Sequence, residues 1–72
     1  MSTSTTIELI INGKDVVLDL GSTVSDFLQS KGLEERLVVV ELNESILPRA
    51  DYASTVLDDG DRIEIVHFVG GG

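Results

Sequence analysis

The residues whose chemistry stands out are the last seven, Val66-His67-Phe68-Val69-Gly70-Gly71-Gly72. A strand-forming apolar run passes directly into three glycines. Glycine lacks Cβ and loses the most backbone freedom on ordering, so such a run is expected to form a flexible tail. A frayed end or a cloning remnant is the plain alternative. The chemical expectation is a tail that threads a narrow slot in another protein and presents its own carboxylate there. An α-carboxylate has a pKa of about 3.3–3.7, so at neutral pH it is ionised and a poor electrophile until a leaving group is attached.

Other chemistry is scarce. The chain has no cysteine and a single histidine, His67, which leaves no thiolate nucleophile, cysteine metal site or histidine-based triad. Asp58, Asp59 and Asp61 surround Gly60, a spacing that fits turn chemistry better than a cation site. Asn12-Gly13 is too short to cradle a phosphate. No internal constellation is catalytic, and no cofactor or metal is expected on this chain.

Composition narrows the partners. Thirteen acidic residues against five basic ones give a formal charge of −8 over 72 residues, so nucleic acid and anionic membranes should repel the chain. Aromatics are only 4%, too few for a base-stacking surface. The charge serves solubility or steers the chain toward a basic partner. No apolar run approaches the ~20 residues of a membrane span, and no basic segment precedes an apolar one near Met1. A cytoplasmic protein is the expectation.

The elements that must hold the final run can be read in order. Residues 1–6 form a polar lead-in, expected to be flexible. Ile7, Leu9 and Ile11 alternate with Glu8 and Ile10, as in a strand. Asn12-Gly13 predicts a two-residue type I′ hairpin that pairs Leu9 with Val16 and Ile7 with Leu18. Gly21-Ser22 ends the hairpin. Thr23 and Asp26 form a capping box for a helix of about two and a half turns, with Val24, Phe27, Leu28 and the stem of Lys31 on one stripe. Gly32 and Leu33 suit a Schellman ending. Glu34-Glu35-Arg36 reads as a solvated link and Leu37–Leu42 as a central strand.

Asn43-Glu44-Ser45 is a turn. Ile46-Leu47 makes a short edge strand stopped by Pro48. Arg49–Thr55 is irregular, with one helical turn around Asp51-Tyr52-Ala53, and Tyr52 covers one end of the core. Val56 and Leu57 return toward that core. Asp58–Asp61 turns the chain into the last strand, Arg62–Val69.

The order predicts an α+β fold: a mixed sheet of four to five strands with one main helix across one face, the β-grasp or ubiquitin-like topology. The domain spans residues 7–69 and the tail residues 70–72. Parity sends Ile63 and Ile65 to the helix. Ile10, Val17, Val66, Phe68 and also Val39 then face the opposite way, as a partner surface unless loops or the tail cover them.

Three blocks together resemble the ThiS family, the sulfur carriers of bacterial thiamine biosynthesis. They are Asn43-Glu44-Ser45-Ile46-Leu47-Pro48-Arg49, Leu57-Asp58-Asp59-Gly60-Asp61-Arg62-Ile63-Glu64-Ile65, and the final seven residues. The resemblance runs from Ile7 onward. It departs in the longer polar lead-in and in Tyr52, where many relatives carry tryptophan.

The resemblance implies a protein co-substrate, not an enzyme. A ThiF-type, E1-like activating enzyme would use ATP and magnesium to adenylate the carboxylate of Gly72. A persulfide from a cysteine desulfurase would convert it to a thiocarboxylate, and the thiazole synthase ThiG would take up the sulfur. Val69, Gly70 and Gly71 would be the threading tail. Two other readings stay open: a MoaD-like small subunit of molybdopterin synthase, and a ubiquitin-like modifier or interaction domain. The MoaD pattern has prolines before a serine and two glycines, where this chain has His67-Phe68-Val69.

Overall fold

Alternation and turn chemistry produce five strands and one helix. The computed structural model describes residues 5–68. In chain order these are β1 (Thr6–Ile11), β2 (Lys14–Asp19), α1 (Val24–Ser30), β3 (Val38–Leu42), β4 (Ser45–Leu47) and β5 (Arg62–His67). Single 3-10 turns lie at Glu35–Leu37 and Arg49–Asp51. The sheet order is β2-β1-β5-β3-β4. β5 is parallel to β1, and the other neighbours are antiparallel. This is the mixed sheet with one helix that the element order predicts.

The first hairpin has the expected register, Leu9 opposite Val16 and Ile7 opposite Leu18. Asn12 and Gly13 both have positive φ, 51° and 79°, as a type I′ turn requires. β1 starts at Thr6, one residue inside the expected lead-in, and the Thr5 carbonyl accepts from the Leu20 amide at 2.9 Å.

The helix is capped at both ends. Thr23 Oγ1 accepts from the Asp26 amide while Asp26 Oδ2 accepts from the Thr23 amide. At the other end the Leu33 amide donates to Leu28 O and the Gly32 amide to Gln29 O, with Gly32 at φ 69°. That is a full Schellman ending. The seven residues make two turns, too few for an independent helix, so burial of Val24, Phe27 and Leu28 against the sheet holds it.

The core joins these three to Ile7, Leu9, Ile11, Val38, Val40, Ile63, Tyr52 and Leu57. Tyr52 closes one end, its hydroxyl donating to Val38 O at 3.4 Å.

The run read as a central strand is interior, since β3 pairs with β5 on one side and with the three-residue β4 on the other, and β5 is the middle strand of the five. Three expectations are corrected. The Glu34-Glu35-Arg36 link is solvated at Glu34 and Arg36 as expected, but Glu35 is half-buried and the segment is ordered. Leu37 belongs to the 3-10 turn that begins there, and Ser25 Oγ donates to Glu35 Oε2 at 2.7 Å. The second turn is the pair Asn43-Glu44 alone, since Ser45 already pairs with Leu42. Val56 stays 56% exposed, because its bridge to Thr23 is a backbone contact and only Leu57 turns inward.

Candidate functional site

β5 carries the end of the chain, so the site is built from what holds β5. Its backbone bonds to β1 are few, with Ile10 and Ile11 opposite Arg62 and Ile63. Beyond them a side chain takes over. The Ile65 amide donates to Asn12 Oδ1 at 2.7 Å, and Asn12 Nδ2 donates to Ile65 O at 3.3 Å. On the other flank the Arg62 amide donates to Asn43 Oδ1 at 3.0 Å, while Asn43 Nδ2 donates to Asp61 Oδ1 at 3.0 Å.

Each hairpin thus opens its turn with an asparagine in the left-handed region, φ 51° and 50°, whose amide clamps β5. Sequence reading identified both residues as turn formers and missed the clamps. Asparagine repeated at the first position of two turns was the available signal.

Among the described residues the last ladder bond runs from the Phe68 amide to Leu37 O at 2.7 Å. The predicted tail, Val69, Gly70, Gly71 and Gly72, lies outside the described residues, as do residues 1–4. The described backbone is thus held by the sheet through Phe68, just past the end of β5.

Two surfaces flank this end of β5. On the helix side, Phe27, Lys31, Leu33, Ile65 and His67 line a shallow cleft of about 280 Å3 together with Ile11 and Asn12. Lys31 Nζ stands 5.8 Å from the Phe27 ring centroid, so its stem and charge follow the stripe although the residue is exposed. On the opposite face, Val66 and Phe68 are each 55% exposed. Val39 lies directly across from Val66 and is half-buried.

The five residues expected to form one partner surface fall into two groups. Ile10 lies beside Arg62, four residues before Val66, about 13 Å along the strand. Val17 pairs with Glu8 and is farther still. The cause is the register: β5 meets β1 only at its end and runs on past it. Val39, Val66 and Phe68 thus border the end of β5, while Ile10 and Val17 do not.

The Asp58–Asp61 turn is occupied by the fold's own donors. Asp59 Oδ1 accepts from the Glu8 amide and Asp61 Oδ2 from the Asp58 amide, each at 2.8 Å. The turn thereby ties the entrance of β5 to β1.

The ThiS family matches residues 5–72 of this sequence. The chain belongs to the ThiS family.

It is 50% identical over 66 residues to the sulfur carrier protein ThiS of Bacillus subtilis, covering 89% of this chain and 98% of that protein. It is 41% identical over 66 residues to a thiazole synthase of Paramagnetospirillum magneticum, covering 92% of this chain. The chain spans only 20% of that synthase. The crystal structure of the thiamine biosynthesis protein ThiS from Geobacter metallireducens superposes with a TM-score of 0.76 at 33% identity, over 92% of this chain and 100% of that one. The fold is the β-grasp of ThiS proteins.

Proposed function

We propose that this chain is the sulfur carrier of thiamine biosynthesis and that Gly72 is the residue that carries the sulfur. The observation that carries the reading is the 50% identity to the Bacillus subtilis sulfur carrier, over 98% of that protein. The glycine run that follows β5 in the sequence after Phe68 and Val69 supports it.

In this reading the chain catalyses nothing. A ThiF-type activating enzyme supplies ATP and magnesium. The Gly72 carboxylate attacks the α-phosphate of ATP, pyrophosphate leaves, and an acyl adenylate forms. A sulfur atom from a cysteine desulfurase-derived persulfide then displaces AMP at the acyl carbon. A second thiol of the sulfur-donating protein then attacks the S–S bond of the resulting acyl disulfide, which releases the thiocarboxylate that thiazole synthase consumes and leaves a disulfide on the donor, to be reduced by a cellular dithiol. The synthase as partner is supported by proteins of that name in Paramagnetospirillum magneticum and Magnetococcus marinus, each of which holds a segment similar to this chain. A cytoplasmic location fits these partners. Among the described residues no helix is long and apolar enough to cross a membrane.

The tail does this work through reach and narrowness. Val69 to Gly72, extended, spans roughly 13 Å, and glycine adds no Cβ to the passage.

The test moves the carboxylate. One alanine added after Gly72 shifts it outward, and deleting Gly72 withdraws it by roughly 3.5 Å. Both variants should keep the parent unfolding midpoint. Both should lose most ATP–pyrophosphate exchange with the activating enzyme, since a misplacement of about 1 Å costs up to ~100-fold. Mass spectrometry of the parent should show one oxygen replaced by sulfur. Full activity of the alanine-extended form would end the sulfur-carrier reading.

A further inference from the structure

Asn12 and Gly13 bring together the parts of a reaction that needs no partner. When an asparagine is followed by an unhindered amide, that amide nitrogen attacks the side-chain carbon Cγ and ammonia leaves, closing a succinimide ring. Water then opens the ring at either carbonyl, and the product is aspartate or isoaspartate. The side-chain nitrogen departs as ammonia, water supplies the oxygen, and nothing is oxidised or reduced.

In the structure the attacking group is free. Ile11 and Lys14 close the hairpin as its last pair, so the Gly13 amide has no place in the ladder. No atom lies within 4 Å of the point where a Cβ on Gly13 would sit, and both turn residues are exposed. The attacked group is prepared. The Ile65 amide donates to Asn12 Oδ1 at 2.7 Å. That oxygen takes up negative charge as Cγ is attacked, and a donor already aimed at it stabilises the charge.

The second turn supplies the contrast. Asn43 has φ 50° against 51° for Asn12, and its Oδ1 likewise accepts from a β5 amide, that of Arg62, at 3.0 Å. Its neighbour is Glu44, whose side chain crowds the nitrogen that would attack.

We propose that Asn12 is a self-modification site, at which the folded turn deamidates to aspartate and isoaspartate and thereby unclamps β5 at Ile65. Nδ2, the atom lost, is the donor to Ile65 O at 3.3 Å. In aspartate a carboxylate oxygen faces that carbonyl instead, acceptor against acceptor. In isoaspartate the main chain gains a methylene, which a two-residue turn in this register does not accommodate. The parallel pairing of β1 with β5 stops at Ile11 and Ile63, so the Asn12 side chain is the tie that this flank of β5 loses. Each event also adds one negative charge to the formal −8. The reaction uses only this chain and water, so it stands or falls apart from the sulfur-carrier reading.

The test incubates the full chain, folded, at mildly alkaline pH and digests it with trypsin. Cleavage after Lys14 isolates Asn12, and cleavage after Arg36 and Arg49 isolates Asn43. Mass spectrometry should find NH2 exchanged for OH in the first peptide, as two isomers, about tenfold faster than in the second, since Gly13 has no Cβ beside the attacking nitrogen. Glu44→Gly should bring Asn43 close to the Asn12 rate. The folded chain should react at least as fast as the same chain unfolded in guanidinium chloride, because unfolding removes the Ile65 donor. The product, separated by its extra charge, should exchange the Ile65 amide hydrogen about tenfold faster than the parent. Val66, whose amide faces β3 by alternation with Phe68, should keep its rate. No conversion at Asn12, conversion at Asn43 just as fast in the parent, or a folded rate below the unfolded one would overturn the site. Unchanged Ile65 exchange in the product would overturn the unclamping.

Discussion

The two hairpins that flank β5 solve one problem with unequal means. Both use a two-residue turn, both open it with asparagine, and both use the asparagine amide to clamp the central strand. The β1–β2 hairpin follows with Gly13, which takes φ 79° freely. Its strands are six residues long, and Ile7, Leu9 and Ile11 are buried. The β3–β4 hairpin follows with Glu44 at φ 71°, where a side chain with Cβ is strained. β4 has three residues, none of them buried. A long, buried hairpin specifies its own register, and its turn is free of strain. The short hairpin lies at the edge, and its register rests more on the Asn43 clamp and on β3, which is held by β5.

The largest test of this contrast is Gly13→Val. No atom lies within 4 Å of the position a Cβ would occupy, so the cost is conformational and not a clash. A β-branched residue in the left-handed region should cost about 2–3 kcal/mol. For a domain of this size that lowers the midpoint by about 10 °C or more. Thermal unfolding measures it, and an unchanged midpoint would mean that the first hairpin does not depend on its turn.

The asparagines give the next smaller effect. Asn12→Ala leaves the Ile65 amide without its 2.7 Å acceptor and puts alanine at positive φ, for about 1–2 kcal/mol. Asn43→Ala likewise puts alanine at positive φ, and it removes an acceptor from the Arg62 amide and a donor to Asp61. Water reaches that end of β5 more easily, so about 1 kcal/mol is expected. Hydrogen exchange at Ile65 and Arg62 should rise in the respective variants. Equal losses would show that the two clamps are equivalent and that hairpin length does not matter.

What was legible in the sequence follows the range of the forces involved. The first hairpin, the capping box and the Schellman ending are written in residues a few positions apart, where turn and cap geometry leave little choice. The parity of β5 was legible because a strand's period is two. The place of β5 at the sheet's centre was not, because it depends on β1 and β3 meeting a strand some fifty and twenty residues away. The run Val38-Val39-Val40 looks central by composition, yet one of its neighbours is the three-residue β4. The division of the expected outer patch has the same origin. Each residue's face was readable from parity, whereas the offset of β5 against β1 comes from tertiary pairing. The tail itself was read from glycine chemistry and from family resemblance, not from packing.

The smallest effect is the most discriminating, because its sign is opposite to the others. Glu44→Gly removes a Cβ from φ 71°, which relieves about 1–2 kcal/mol of left-handed strain. Glycine also widens the unfolded ensemble, at about 0.5–1 kcal/mol. The difference leaves a gain of about 0.5 kcal/mol, or a rise of roughly 2–4 °C in the midpoint. The side chain of Glu44 is exposed, so no packing is lost with it. The same glycine substitution at an unstrained helix position, such as Gln29→Gly, should lower the midpoint and serves as the control. A midpoint for Glu44→Gly at or below the parent's would mean that the β3–β4 turn relaxes its backbone without help. The contrast between the hairpins would then reduce to strand length and burial alone.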